Sequence, residues 1–181
     1  MFFSNSAIVI RVNNMGFENN LKNHSFFEKN NTGNLSRRFY SINFYSQEHD
    51  IGEIHYTNSF EYGNMNVINF IRKSNLFYLF TSSVQHSKFF KKIIKSSLET
   101  EVSFDIIKVP IKKDMIQESK IKNLTIIEAD EIYGLVGTLS FNNSSHLVKI
   151  YNNGLITFPF TNNMELIEEV INSSFELMNY D

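Results

Sequence analysis

The chain has 181 residues, of which 42% are hydrophobic, 14% aromatic and 20% charged, a composition that supplies a packed core and excludes wholesale disorder. It contains no cysteine, which excludes disulfides, thiolate metal sites and a cysteine nucleophile, and a net charge of -2 gives no overall basic footprint for nucleic acid. No apolar run approaches the roughly 18 residues of a membrane span, and Met1 to Ser6 lacks the basic start of a signal peptide.

In chain order, Ala7 to Val12 reads as a short apolar strand, and the Asn-rich stretch Asn13 to Asn34 as a loop or short helix. Arg38 to Tyr45 and Ile51 to Thr57 alternate around a polar turn, with Tyr40, Ile42 and Phe44 on one face. Met65 to Phe70 and Leu76 to Phe80 complete a four-strand meander. A helix follows, opened by the Ser82 and Gln85 capping pattern, with His86, Phe89, Phe90, Ile93, Ile94 and Ser97 on one face. Lys88, Lys91, Lys92 and Lys95 form a stripe on its other side, either a solvated face or a partner-binding one.

The second half has the same plan. Val102 to Val109 is a strand ended by Pro110, and Asp114 to Lys122 reads as a short helix capped by Asp114 and Gln117. Leu124 to Ile127, Ile132 to Phe141 and His146 to Tyr151 are extended. Asn153-Gly154 is the favoured pair for a primed hairpin turn into Leu155 to Phe160. The last helix runs from about Asn163 to Met178, with Asn162 and Glu165 as cap pair and Met164, Ile167, Ile171, Phe175 and Met178 as apolar face.

A constant shift of 81 sets Ile51 on Ile132, Phe70 on Tyr151, and the core face of the first helix on that of the second, which reads as an internal duplication. The expected fold is α+β: two pseudo-repeats, residues 1–99 and 100–181, each a curved antiparallel sheet with a C-terminal helix, together one curved, continuous sheet. With one helix per half, only one sheet face is covered, and the other is solvated or binds something.

On the stretch Glu128 to Asn179, led by Ile127 and including the acidic last helix, on Lys108-Val109-Pro110-Ile111 upstream of it, and on Val67 to Leu98, the chain resembles the TATA-box-binding protein family. The resemblance implies minor-groove binding and bending of AT-rich promoter DNA by the concave sheet, with apolar side chains wedged between base steps. The family's wedge positions fall on Ile51, Phe70, Ile132 and Tyr151. Thr157 is the groove-facing residue of the final strand, and Thr100 stands near the position of the family's central asparagine. The implied partners are double-stranded DNA and a factor-B-like protein or RNA polymerase subunits, with no membrane, and the implied location is the nucleus or a site of viral transcription. An alternative is a saddle that has lost DNA binding and serves as a protein-protein adaptor.

No cofactor is implied. A metal-enzyme reading rests on His49, Asp50, Glu53 and His55, ligands of the right type around one turn. There is no glycine-rich phosphate loop and no nucleophile elbow, so nothing in the sequence argues for an enzyme. To residue 90 the charges sum to +2 and from 91 onward to -4, which points to weak DNA affinity without a partner.

Overall fold

Alternating apolar residues put most of the chain into strands. A computed structural model describes residues 2–14, 16–29, 35–98, 101–112 and 121–178, the side chains at 35, 36 and 178 excepted. The fold is α+β, a large open antiparallel sheet with two helices. The strands are β1 (Ser4–Asn13), β2 (His24–Lys29), β3 (Leu35–Phe44), β4 (Ile51–Thr57), β5 (Asn66–Lys73), β6 (Leu76–Leu79), β7 (Ser103–Ile106), β8 (Leu124–Asp130), β9 (Gly134–Phe141), β10 (Ser144–Tyr151) and β11 (Leu155–Thr161). The helices are α1 (Ser87–Leu98) and α2 (Met164–Met178), and short 3-10 turns lie at Phe17–Asn20 and Val84–His86. Among the described residues no helix is long and apolar enough to cross a membrane.

Two compact units arise, and they do not follow the linear cut at 99/100. One comprises Ile10–Leu79 with Gln85–Asp105; the other comprises Met1–Val9, Phe80–Val84 and Ile106–Asp181. β1 contributes residues to both.

In the first, the β3–β6 unit, the strands run in sheet order β2-β3-β4-β5-β6. Cross-strand pairing sets Ile42, Ile54 and Ile68 in one row and Phe44, Gly52 and Phe70 in the next, so both rows share a face. α1 covers that face: Phe89 stacks on Tyr56 at 3.8 Å and Phe90 meets Phe77 at 4.8 Å. Ile42, Ile54, Phe70, Phe77, Phe90 and Ile94 are fully buried there. The opposite face carries the rows Ser41-His55-Val67 and Asn43-Glu53-Asn69.

In the β8–β11 unit the order is β1-β11-β10-β9-β8. Leu135, Ile150 and Ile156 form a buried row on the side of α2, whose buried residues are Leu166, Ile167, Val170, Ile171, Ser173, Ser174 and Leu177. The opposite face carries Glu128-Val136-Lys149-Thr157-Ser6 and, beside it, Thr125-Thr138-Leu147.

Several expectations change. The segment read as a loop contains β2, whose adjacent Phe26 and Phe27 face opposite sides of the sheet and so leave no alternation to detect. The Ser82 and Gln85 box is replaced by the 3-10 turn, and α1 starts at Ser87. Asn163, one residue beyond the expected cap, caps α2 by accepting the backbone N–H of Glu165 at 3.0 Å and of Leu166 at 3.3 Å. On α2 the expected Ile167 and Ile171 are buried, Leu166 and Val170 join them, and the expected Phe175 is exposed. The primed turn lies at Asn142-Asn143, both with positive φ in a two-residue loop; Asn152-Asn153-Gly154 is a three-residue loop with Gly154 alone at positive φ. The expected helix at 114–122 falls mostly outside the described residues, and Ile121 and Lys122 are not helical.

Candidate functional site

The helix-free face of each unit is where a flat partner can reach the sheet, because α1 and α2 occupy the other side. In the β8–β11 unit this face is built from short hydroxyl-bearing and aliphatic side chains, Thr125, Val136, Thr138, Leu147 and Thr157, with the cation Lys149 among them and Glu128 at the rim. A shallow cleft of about 170 Å³ opens at one end, lined by Glu128, Asp130, Tyr133, Val136, Lys149 and Tyr151. Its wall is shaped by the turn between β8 and β9, where the Asp130 carboxylate accepts the backbone N–H groups of Ile132 at 2.7 Å and Tyr133 at 3.0 Å. That turn holds Ile132 out in solvent, 76% exposed. Tyr151, at the end of β10, is 37% exposed on the same sheet face as the cleft.

The β3–β6 unit is built differently. On its helix-free face Glu53 pairs with His55 at 2.9 Å and also accepts from the Tyr45 hydroxyl. Desolvation together with that carboxylate pushes the Tyr45 phenol up to about 12, so it remains a hydrogen-bond donor at any physiological pH. Behind this relay Arg72 donates to the backbone carbonyls of His49 at 2.8 Å, Ser74 at 2.9 Å and Glu48 at 2.5 Å, fixing the 46–50 turn to the β5–β6 hairpin. Neither the relay nor the arginine clamp was among the sequence candidates. Glu53 and His55 were visible as a same-face pair, but Tyr45 joins them only through the β3–β4 turn.

The candidates fare unequally. Tyr151 lines the cleft, and Ile132 stands exposed in the turn between β8 and β9. Ile51 is half-buried on the helix-free face, opposite Ile71. The expectation that Phe70 is a surface wedge is corrected: it is 0% exposed and packs edge-on against Phe44 at 5.5 Å and against Phe77 at 5.5 Å, on the α1 side. The shift of 81 therefore equates a core residue with a surface one, since a slip of one residue in a strand reverses the face. Thr157 lies on the helix-free face between Lys149 and Ser6, and Thr100 lies outside the described residues.

The lysine stripe of α1 is partly consumed within its own unit. Lys92 Nζ sits 2.5 Å from Glu28 Oε1 and 4.7 Å from the Tyr40 ring centre, and Lys91 Nζ reaches the Phe104 carbonyl at 3.5 Å. Lys88 and Lys95 are exposed, Lys88 over the ring of Phe89. The metal reading is also corrected. The His49 ring packs edge-on against Phe44, Asp50 accepts from Ser46 Oγ, and Glu53 is taken by His55. Among the described residues no three His, Asp or Glu side chains converge on one point.

Comparison with protein-family models, with curated proteins and with solved structures finds no match.

Proposed function

We propose that the chain is a divergent TATA-box-binding-like transcription initiation factor, two pseudo-repeats forming a saddle, which binds and bends AT-rich double-stranded DNA through the minor groove with help from a factor-B-like or polymerase partner. The observation that carries this reading is the make-up of each unit: four consecutive antiparallel strands, a helix on one face, and an open opposite face. Side chains such as Thr138, Leu147 and Thr157 suit a minor groove, whose floor offers a few acceptors and much apolar surface. Ile132 and Tyr151 are each exposed and are the wedge candidates; in the other unit Ile51 is the remaining one.

The test is bending of an AT-rich duplex at low salt, measured by energy transfer between its labelled ends. The wild-type chain bends it, and the double variant Ile132→Ala/Tyr151→Ala binds without bending. A chain that neither binds nor bends such DNA, alone or with nuclear extract, overturns the reading.

One observation favours the protein-protein adaptor. Glu128 and Asp130 line the cleft beside the wedge pair, a poor neighbour for phosphate and a good one for a basic partner segment. A chain that copurifies with protein partners yet never protects DNA supports that second reading.

A further inference from the structure

An open sheet ends in two strands, and each leaves one row of backbone N–H and C=O groups to be covered or blunted. β8 blunts its own edge. Its pairing with β9 slips between Ile126 and Glu128, so the extra residue, Ile127, bulges out of the edge strand itself, and Glu128, Asp130 and Glu131 follow. β2 does not. Its pairing with β3 also slips, between Phe27 and Lys29, but there the two extra residues lie in β3, and β2 stays extended. Among the described residues β2 is paired on one side only.

An apolar patch adjoins this edge on the helix-free face. Phe27, Phe39 and Phe60 pack against one another with ring centres 5.0–5.1 Å apart, yet Phe60 is 50% exposed. Phe60 is held there because its N–H donates to the Arg37 carbonyl at 2.9 Å, which folds the 58–64 loop onto β3.

We propose that the β2 edge pairs with the β2 edge of a second copy of this chain, antiparallel about a two-fold axis. Residues paired across such an axis, taken normal to the sheet, must share a face, so their numbers sum to an even value. The sum that sets Phe27 opposite Phe27 of the second copy brings the two half-exposed phenylalanine clusters together. It also pairs Ser25 with Lys29 of the second copy, with no like charges opposed. In this register the edge is its own complement, with the aromatic clusters adjoining and no like charges opposed. Six residues of strand and one aromatic cluster make an interface at or below the roughly 1,200 Å² of small specific complexes, so the dimer is weak and concentration-dependent. The proposal does not rest on DNA binding.

Sedimentation equilibrium tests it: the apparent mass climbs from 21.2 kDa toward twice that value as concentration rises, and Phe60→Asp abolishes the climb while the far-ultraviolet spectrum is unchanged. Because the chain lacks cysteine, Phe27→Cys gives a single thiol at the axis. Directly opposed residues lie about 4.5–5.5 Å apart at Cα, inside the roughly 4.4–6.8 Å a disulfide spans. Mild oxidation therefore links Phe27→Cys dimers much faster than Ser25→Cys dimers, whose thiols stand roughly 13 Å apart along the strand. A chain that stays at 21.2 kDa throughout overturns the proposal, as does equal crosslinking of the two cysteine variants. A monomer that instead captures a synthetic strand peptide at β2 overturns it too, in favour of a partner protein.

Discussion

At the scale of single residues, Gly52 decides which way the β3–β6 unit faces. It pairs with Phe70 across β4 and β5, and a side chain there would run into the Asn43 carbonyl and come within 2.6 Å of the Phe70 ring. The missing Cβ is the space that Phe70 fills, so ring and glycine are one packing decision. Gly52→Ala is expected to destabilise the chain by about 1–3 kcal/mol, as overpacked cores do, read as a lower urea midpoint at unchanged slope; an unshifted midpoint would mean that the ring does not occupy that space. The second residue-scale prediction concerns His86, which lies against Tyr56 and Phe89. Burial, and then the nearby Lys88 charge, lower its pKa from 6.5, so folding favours the neutral ring. The stability this supplies is complete above pH 6.5 and is lost as the pH falls through the lower folded value. His86→Phe removes that component. The stability of wild type relative to the variant should decline on acidification from pH 7, and a difference independent of pH would refute the assignment.

At the scale of elements, α2 depends on its cap. The Asn163 side chain accepts the first free N–H groups of that helix, and Glu165 in the first turn complements the helix dipole. Asn163→Ala should therefore cost about 0.5–2 kcal/mol, measured by thermal unfolding, with Asn163→Asp close to wild type. Much of this architecture was legible from the residues. β4 was read at its observed limits because Ile54 and Tyr56 alternate cleanly with Glu53 and His55, and the α1 face was read from Phe90, Ile93, Ile94 and Ser97. The errors of facing share one physical cause. Where apolar residues stand side by side, as at Phe26-Phe27, Phe70-Ile71 and Leu166-Ile167, the pattern does not say which one faces the core, and pairing partners far along the chain decide. The face of α2, read as Met164, Ile167, Ile171, Phe175 and Met178, holds for Ile167 and Ile171 but not for Phe175, and Phe70, set on the surface by the family resemblance, lies in the core. Buried positions on the helices match at a shift of 80 instead: Phe90 with Val170, Ile94 with Ser174, Ser97 with Leu177. A constant shift of 81 does not survive hairpins whose loops differ in length. Of the expected site residues, Tyr151 and Thr157 lie on the helix-free face and Ile132 is exposed in the β8–β9 turn, while the Tyr45–Glu53–His55 relay formed through tertiary contact.

At the scale of the whole molecule, charge limits what the proposed DNA binding can be. The formal net charge of -2 divides into +2 for the β3–β6 unit and -4 for the β8–β11 unit. The positive unit's cations are in part consumed within it, Arg72 on three carbonyls and Lys92 on Glu28. Phosphate contacts set the salt dependence of DNA affinity, each neutralised phosphate adding roughly 0.9 to the slope of log K against log salt. A chain with few available cations should thus bind weakly, with a shallow slope. Each helix-free face also carries a carboxylate within its strand rows, Glu53 between Asn43 and Asn69 and Glu128 beside Val136. An anion near phosphate in solvent costs about 1 kcal/mol at contact distance, roughly fivefold in affinity. Glu53→Gln/Glu128→Gln keeps side-chain length and hydrogen-bonding capacity while removing both charges. It should tighten binding to an AT-rich duplex by several-fold in fluorescence anisotropy at low salt, and leave the urea midpoint little changed. Charge removal on the far side, at Glu168 and Glu176 of α2, should have a smaller effect. If the two double variants behave alike, the helix-free faces are not where DNA approaches, and the adaptor reading gains.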